Sequence, residues 1–305
     1  MIREPVTVVL FVYHRLNHTR RVIESLLRNP EAKFTRVVVY SDGPKNKADK
    51  RAVDEVRRYL NTINGFLDLQ IIARQENWGL SRTTIDGLTA VAEKYGAFIM
   101  LEDDTVVSPY FLAYMNEALH MYEKEERVIS VSGYNYPSNI PLPETFFLRE
   151  ANCWGWGTWA RGWKLFESDG RVLRDLLIKR RLVHAFNMDG SFNFFKMLQD
   201  QIAGRNDSWS VRWRASAFLS GKLTLHPARS LVKNIGNDGS GTNSKWLITD
   251  VYDAGLADRS IRIEPIPVEE CIMAKLEHKR FLKWFLFRKL ASAVKVWITK
   301  RSKEY

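Results

Sequence analysis

The first 132 residues alternate between short runs of β-branched and aromatic residues and longer segments in which apolar residues recur at helical spacing. The short runs predict strands at 6–13, 36–40, 69–73, 98–101 and 128–131. The longer segments predict helices at 17–27, 48–60, 81–94 and 109–124. Because strands that alternate with helices build a mostly parallel sheet covered on both faces, the pattern predicts an α/β fold with a Rossmann-like central sheet.

Polar residues follow four of the predicted strands at the point where each strand ends. The strand ends read YHR at 13–15, SDG at 41–43, NWG at 77–79 and EDD at 102–104. Ligands of parallel α/β sheets bind beyond the carboxyl ends of the strands. We therefore expect the chemistry of the protein at this edge of the sheet.

Three adjacent acids, Glu102, Asp103 and Asp104, directly follow the most apolar run of their neighbourhood. Adjacent carboxylates repel one another unless a cation or hydrogen-bond donors compensate. A hard cation, Mn²⁺ or Mg²⁺, that bridges the acids to the phosphates of a nucleotide would supply that charge. The alternative is that the acids cap the next helix, although Ser108 and Pro109 already form a good helix start.

Two common nucleotide-binding motifs are missing from the chain. No G-x-G-x-x-G follows the first predicted strand, and G-x-x-x-x-G-K-[ST] does not occur. The sequence therefore disfavours a dinucleotide-dependent dehydrogenase and a P-loop enzyme.

The chain after residue 133 is less regular, and three segments carry candidate chemistry. Residues 151–163, ANCWGWGTWARGW, predict either an apolar wall for a sugar face or a tryptophan-rich part of the core. Asp207 precedes a helical segment and is either its cap, with Ser208 as an alternative, or a general base for an acceptor hydroxyl. Residues 234–244, NIGNDGSGTNS, predict a mobile loop that is idle or closes over a bound donor.

The charge of the chain is unevenly distributed. The 305 residues have an ordinary globular composition, with 45% hydrophobic, 12% aromatic and 27% charged residues. Residues 278–305 hold nine of the 46 basic and one of the 35 acidic residues, so most of the net charge of +11 lies there. The remaining chain carries 37 basic and 34 acidic residues. This near balance argues against nucleic-acid binding.

The basic tail is also amphipathic at helical spacing. Its apolar side between 286 and 299 consists of Leu286, Phe287, Leu290, Ala293, Val294, Trp297 and Ile298. A basic helix with Trp and Phe on its apolar face predicts binding to an anionic membrane surface, and docking on its own domain is the alternative. Two cysteines support no disulfide framework, and neither a signal peptide nor a spanning apolar segment is recognisable. We therefore expect a cytoplasmic protein, peripheral at the inner face of the cell membrane.

Five motifs together resemble the GT-A fold glycosyltransferases. They are the strand from residue 6, YSDGP at 40–44, FIMLEDDTVVSPYF at 98–111, WGWGTWARGW at 154–163 and NDSWSVRW at 206–213. In particular they resemble bacterial family 2 polysaccharide transferases related to the animal N-acetylglucosaminyltransferase that initiates complex N-glycans. The resemblance covers about residues 5–244. It implies a nucleotide-sugar-binding half at 1–133 and an acceptor half at 134–265 of one GT-A domain, followed by the basic C-terminal segment 266–305.

The resemblance implies roles for the residues at the strand ends. Asp104, the last acid of the triplet, would be the direct metal ligand. Asp103 would face the ribose, and Glu102 would face the sugar nucleotide. Asp42 would contact the uracil, and Arg15 would approach the base or the diphosphate.

Further roles fall in the second half of the chain. Asp207 is the nearest match to the catalytic base, with Asp200 in reserve, because this chain has Asp-Ser where the animal enzyme has two acids. Trp156, in the aromatic segment, completes the predicted donor-binding residues. The cofactor implied is Mn²⁺ or Mg²⁺, and the donor implied is a UDP-sugar.

The implied activity is inverting, metal-dependent transfer of a sugar from a nucleoside-diphosphate sugar to a hydroxyl of a glycan or lipid-linked acceptor, as in bacterial cell-surface polysaccharide synthesis. Two other functions stay open. One is a sugar-nucleotide nucleotidyltransferase, although FVYHRLNHTRR at 11–21 lacks the glycine-rich basic loop expected there. The other is a non-catalytic, membrane-associated carbohydrate-binding protein.

Overall fold

The computed structural model describes residues 4–236, 238 and 252–301, with side chains as far as residue 288. Its strands are β1 (Thr7–Val12), β2 (Arg36–Ser41), β3 (Asp68–Ala73), β4 (Ala97–Glu102), β5 (Thr105–Val107), β6 (Val128–Ser132), β7 (Thr145–Leu148), β8 (Trp156–Trp159), β9 (Leu223–Pro227) and β10 (Val232–Asn234). Its helices are α1 (Leu16–Leu27), α2 (Lys47–Leu60), α3 (Leu80–Tyr95), α4 (Phe111–Met121), α5 (Ala160–Trp163), α6 (Gly170–Lys179), α7 (Val183–Phe186), α8 (Phe194–Ile202), α9 (Trp209–Leu219) and α10 (Ile272–Arg301), with a 3₁₀ helix at Pro30–Phe34.

Eight of the described strands form one sheet in the order β3-β2-β1-β4-β8-β6-β9-β7. The first four are parallel, and β1 pairs with β2 on one side and β4 on the other. β8 lies antiparallel between β4 and β6, while β6 pairs parallel with β9 and β7 antiparallel with β9. The predicted α/β fold with a mostly parallel central sheet is confirmed. The insertion of β8 beside β4 is a feature that the pattern did not predict.

The apolar runs become strands because both faces of the sheet are buried. Alternate side chains of a strand point to opposite faces. Val8 and Leu10 belong to the core cluster shared with α1, α2 and α4, whereas Val9 and Phe11 belong to the cluster shared with α3, α5 and α9. Helices thus cover both faces, and the ends of β1 to β4 meet at one edge where the chain continues into loops.

A buried charge network fastens the C-terminal helix to the rest of the fold. Glu150, whose side chain is 1% exposed, accepts from Arg214 Nη1 at 3.1 Å and from His278 Nδ1 at 3.0 Å. His278 lies in α10, and its Nε2 faces Asn135 Oδ1 at 2.7 Å. Asn135 Nδ2 donates to Ala228 O, so its amide oxygen points to the ring. Arg214 and His278 thus contact different oxygens of the Glu150 carboxylate.

These two groups stabilise the charged form of Glu150. Burial alone would raise the pKa of Glu150, but the charges of Arg214 and His278 lower it well below the ordinary carboxyl value. One turn further along α10, Phe281 and Leu282 pack into a third core cluster. The first part of α10 is therefore an integral part of the fold.

The later part of α10 includes the predicted membrane-binding segment. Trp284 and Phe287 are 43% and 69% exposed, respectively. The side chains from residue 289 onward lie outside the described residues, so membrane binding by 286–299 stays a prediction. None of the helices that the structure describes combines the length and apolarity needed to cross a membrane.

Replacing Glu150 by Gln should strongly destabilise the fold. The amide offers one acceptor oxygen where two N–H donors converge, and the buried charges of Arg214 and His278 lose their counter-charge. We expect a loss of about 3–5 kcal/mol in the free energy of unfolding, measured by urea denaturation at neutral pH.

Glu144→Gln is the matched control, because Glu144 pairs with Arg229 at a partly exposed position. Loss of that pair should cost about 1 kcal/mol or less. Equal losses in the two variants would contradict the anchoring role of Glu150.

Candidate active site

Arg15 links the end of β1 to the acids at the end of β4. It occupies the N-cap position of α1, and Asp103 and Asp104 directly follow the neighbouring parallel strand. Arg15 Nε donates to Asp103 Oδ2 at 3.2 Å. Arg15 Nη2 donates to Asp103 Oδ1 and, at 2.8 Å, to Asp104 Oδ2. The structure thus brings together three of the predicted site residues.

The charges of this cluster are largely removed from water. Asp103 and Asp104 are 5% and 9% exposed, respectively. Burial raises the pKa of Asp103 and outweighs the opposite effect of Arg15. Burial lowers the pKa of Arg15, but the hydrogen bonds and charges of Asp103 and Asp104 raise it above its ordinary value. Arg15 therefore stays charged and supplies part of the positive charge that the acid triplet requires.

Glu102, the first acid of the triplet, has a raised pKa. Burial raises the pKa of Glu102 to about 8, and the charges of Asp104 and Asp103 act in the same direction. Trp209 Nε1 lies 3.4 Å from Glu102 Oε1 and donates to it. The raised pKa favours the protonated form of Glu102, in which the carboxyl group can donate a hydrogen bond to a ligand.

The acids do not cap the helix that follows them. Ser108 Oγ accepts the N–H of Tyr110 at 3.3 Å, and α4 begins at Phe111 with Tyr110 in the N-cap position. The helix therefore starts two residues later than predicted, and Ser108 provides the side-chain contact at its start.

The segment after β10 covers the Asp104 carboxylate. β10 pairs antiparallel with β5, which places Asn234 opposite Thr105. Asn234 Nδ2 donates to Asp104 Oδ1 at 3.1 Å. At Gly236 a Cβ atom would lie 2.2 Å from Asp104 Oδ2, so a side chain there would collide with the carboxylate. Sequence analysis missed both contacts, and most of its predicted loop at 234–244 lies outside the described residues.

Asp42 holds the loop between β3 and α3. Its Oδ1 accepts the N–H groups of Gly43 at 3.0 Å and Trp78 at 2.9 Å, and its Oδ2 accepts that of Gly79 at 2.9 Å. Gly79 is the N-cap residue of α3 and has a φ of +77°. With two lone pairs on each oxygen, the Asp42 carboxylate keeps one acceptor position, on Oδ2, for a ligand.

Trp78, in the same loop, lies between two guanidinium groups. Arg74 Cζ lies 3.5 Å and Arg82 Cζ 4.0 Å from the ring centroid. Arg74 also pairs with Asp86. Sequence analysis missed this stack. The available signal was the spacing, because one arginine lies four residues before the tryptophan and another lies four residues after it.

Asp207 faces the same loop and does not cap α9. Ser208 is the cap, since its Oγ accepts the N–H of Val211 at 3.2 Å. Asp207 Oδ2 lies 3.9 Å from the place where a Cβ of Gly79 would be. Together with Arg212, Asp207 borders a cavity of about 630 Å³ that extends along α3. This volume lies in the range of small-molecule sites.

Asp200, the reserve candidate for the base, is engaged in ion pairs. Lys196 Nζ donates to its two carboxylate oxygens at 2.7 and 2.8 Å, and Arg205 donates to it as well. The hydrogen bond from Lys196, followed by that from Arg205, lowers the pKa of Asp200. Its carboxylate is therefore a poorer proton acceptor than one without such partners.

Trp156 is buried, so the prediction that it contacts the donor directly is wrong. It is 0% exposed, because β8 is an interior strand of the sheet. Its ring packs 4.9 to 6.2 Å, between centroids, from the rings of Phe98, Trp163, Trp209 and Trp213. The alternative of a tryptophan-rich core describes this segment correctly. Trp156 packs against Trp209, which donates to Glu102.

Asp42→Asn should loosen the start of α3. The amide nitrogen would replace one carboxylate oxygen and face a backbone N–H, which leaves a buried donor without an acceptor at a cost of about 1–3 kcal/mol. Hydrogen exchange at the amides of Trp78 and Gly79 should accelerate accordingly. Asp54→Asn, at a side chain on α2 that is 44% exposed, should leave this exchange unchanged. Equal protection in Asp42→Asn and the wild type would contradict the anchoring role.

Comparison with known proteins identifies a match over the first half of the chain. Residues 7–157 match the model of glycosyl transferase family 2. No curated protein matches the chain in sequence. The chain is also similar to two solved structures, the crystal structure of GalNAc-T7 with UDP, GalNAc and Mn²⁺ and that of S. aureus TarS.

Both structural similarities are distant. GalNAc-T7 is 12% identical, with a TM-score of 0.44, over 75% of this chain and 43% of its own. TarS is 13% identical, with a TM-score of 0.33, over 57% of this chain and 29% of its own. The chain thus spans less than half of either protein, and the finer resemblance to the animal enzyme stays a prediction. The part of the chain that matches glycosyl transferase family 2 runs from β1 into β8 and contains Arg15, Asp42 and the three acids.

Proposed function

We propose that the protein is an inverting, metal-dependent glycosyltransferase that moves a sugar from a UDP-sugar to a hydroxyl of a glycan or lipid-linked acceptor. The observation that carries the proposal is the meeting of Arg15, Asp103 and Asp104 at the carboxyl edge of the sheet. Asp42 and Asp207 both face the nearby loop between β3 and α3. The match to glycosyl transferase family 2 supports the same activity.

The UDP-sugar would be bound by side chains that can still form further hydrogen bonds. The remaining acceptor position on Asp42 Oδ2 suits the N–H of a uracil ring. Asp103 is assigned to the ribose hydroxyls. The carboxyl group of Glu102 suits a hydroxyl of the donor sugar, because its protonated form can donate as well as accept.

Asp104 fits a hard cation by the chemistry of its oxygens, but it does not form a complete metal site with its neighbours. Within the described residues, no group of three or more His, Cys, Asp or Glu side chains is arranged to hold a metal. Mg²⁺-type sites often combine one or two carboxylates with substrate phosphates. Bound there with the diphosphate, Mn²⁺ or Mg²⁺ would supply positive charge for the departing nucleoside diphosphate.

Asp207 is assigned as the general base. It takes the proton of the acceptor hydroxyl while the hydroxyl oxygen forms a bond to the anomeric carbon of the donor. The bond from that carbon to the diphosphate breaks, and its electrons leave with the nucleoside diphosphate. Attack on the face opposite the leaving group inverts the configuration, and no covalent enzyme intermediate forms. The position of Asp207 beside the cavity, with the cap of α9 provided by Ser208, supports this assignment.

The cavity along α3 is assigned to the acceptor. Its lining includes the hydroxyl of Ser81 and the charged groups of Arg82, Asp86 and Glu93. Such side chains both donate to and accept from sugar hydroxyls. Because the cavity begins at Asp207, a glycan held along α3 could present one hydroxyl to the base.

Asp207→Asn should lower kcat by about 10²–10⁴-fold, because the amide cannot take the hydroxyl proton. The assay measures UDP released from UDP-sugars in the presence of Mn²⁺ and a panel of glycan acceptors, and EDTA should stop the release. Asp200→Asn is the matched control and should keep kcat close to the wild-type value.

Other outcomes of this assay favour other functions. Pyrophosphate-dependent loss of the sugar nucleotide without UDP release would support a nucleotidyltransferase. Absence of turnover with every donor would support a carbohydrate-binding protein without catalytic activity. A large loss in Asp200→Asn alone would move the base to Asp200.

Ala90→Trp should raise the KM for the acceptor about tenfold, equivalent to about 1.4 kcal/mol of lost binding. Ala90 is exposed on α3 and lines the cavity, so the larger ring narrows the cavity without entering the core. Ala48→Trp, at an exposed position of α2, is the control. UDP release to water without acceptor should stay unchanged in both variants. An unaltered acceptor KM in Ala90→Trp would place the acceptor elsewhere.

A further inference from the structure

Asp104 accepts one hydrogen bond from a nitrogen donor on each of its two carboxylate oxygens. Arg15 Nη2 lies 2.8 Å from its Oδ2, and Asn234 Nδ2 lies 3.1 Å from its Oδ1. The backbone at Gly236 passes so close to Oδ2 that a Cβ there would lie 2.2 Å away. Arg15 and Asn234 therefore compete with a divalent cation for the oxygens of Asp104.

Arg15 can leave Asp104 without losing its other carboxylate partner. Its Nε and Nη2 also bind Asp103, so the guanidinium keeps one carboxylate when it gives up the other. Its Nη1 is buried and has no hydrogen-bond partner within the part of the chain that the structure describes. A guanidinium with a spare donor is well suited to bind phosphate oxygens, whose geometry matches its planar fork.

The positive charge of Arg15 weakens the binding of a cation alone. Two buried carboxylates, Asp103 and Asp104, share one guanidinium, and a divalent cation added to them would lie close to the positive charge of Arg15. Two positive charges that lie close together repel strongly where water is excluded. A nucleoside diphosphate removes this obstacle, because its phosphates neutralise both positive groups and complete the oxygen ligands of the cation.

We propose that Arg15 is an internal counter-ion that keeps divalent cations off Asp104 until a nucleoside diphosphate arrives and takes over the guanidinium. The proposal rests on the proposed function, because it assumes a nucleotide donor with a metal at Asp104. Its consequence is positive coupling between metal and nucleotide: each binds more tightly in the presence of the other. Arg15 is a positioning residue for the metal as well as a ligand for the diphosphate.

Isothermal calorimetry with Mn²⁺ tests the proposal, in the presence and absence of UDP. Without UDP, Arg15→Ala should bind Mn²⁺ at least about tenfold more tightly than the wild type, because the competing charge is gone. UDP should tighten Mn²⁺ binding strongly in the wild type and much less in Arg15→Ala. Arg36→Ala is the control. Arg36 pairs with Asp68 where β2 and β3 begin, which is the edge of the sheet away from the acids. Its Mn²⁺ affinity should equal that of the wild type.

Thermal unfolding provides a second readout. Arg15→Ala leaves Asp103 and Asp104 buried without the guanidinium, so its Tm in metal-free buffer should fall. Mn²⁺ alone should restore much of this Tm, whereas it should change the wild-type Tm little. Arg15→Gln, a neutral side chain that is nearer in length, should show the same rescue where the alanine variant folds poorly. Failure of both variants to fold even with Mn²⁺ would overturn the proposal, because the cation could then not take the place of the guanidinium.

Different results would contradict the role of Arg15 and the glycosyltransferase activity itself. Equal Mn²⁺ affinity of the wild type and Arg15→Ala without UDP, together with Mn²⁺ binding and UDP release in the full assay, would overturn the role of Arg15 and leave glycosyl transfer intact. Absence of Mn²⁺ binding with UDP in every variant, and of UDP release from every donor, would overturn the metal-dependent transferase itself.

Discussion

Three adjacent carboxylates at the end of a buried strand are the constraint on which the active-site edge depends. Like charges that are removed from water raise one another's pKa values, so positive charge must reach this point. Arg15 reaches it because β1 and β4 are parallel neighbours, which places the residue after one strand beside the acids after the other. The strand order of the sheet is therefore also an electrostatic requirement of the site.

The chain handles a second buried carboxylate in a different way. Glu150 is enclosed by Arg214 and His278, deep in the fold, and its contact with His278 holds α10 in place. Asp103 and Asp104 have similarly low exposure but lie at an edge, next to backbone that passes close to Asp104 at Gly236. A counter-ion at an edge can be exchanged for another, whereas a counter-ion in the core cannot. This difference distinguishes a structural ion pair from an ion pair that is suited to ligand binding.

The second half of the chain contributes to the site mainly by positioning the side chains of Glu102 and Asp207. β8 inserts beside β4 and brings Trp156 against Trp209, whose indole N–H then reaches Glu102. Ser208 caps α9, so the preceding residue, Asp207, keeps a carboxylate that faces the start of α3. The candidate base and the candidate sugar-binding acid thus owe their geometry to one helix, α9, and to the aromatic packing behind it.

The sequence by itself determined the first four parallel strands, their helices and the edge at which Arg15, Asp42 and the acids lie, because burial of a strand or helix leaves a local periodicity in the chain. Only the tertiary structure decided that Trp156 is interior, that Asn234 contacts Asp104 and that His278 holds Glu150. These last partners are 130 and 128 residues apart in sequence. Local patterns record whether a side chain is buried, but the partner it meets depends on how distant segments pack.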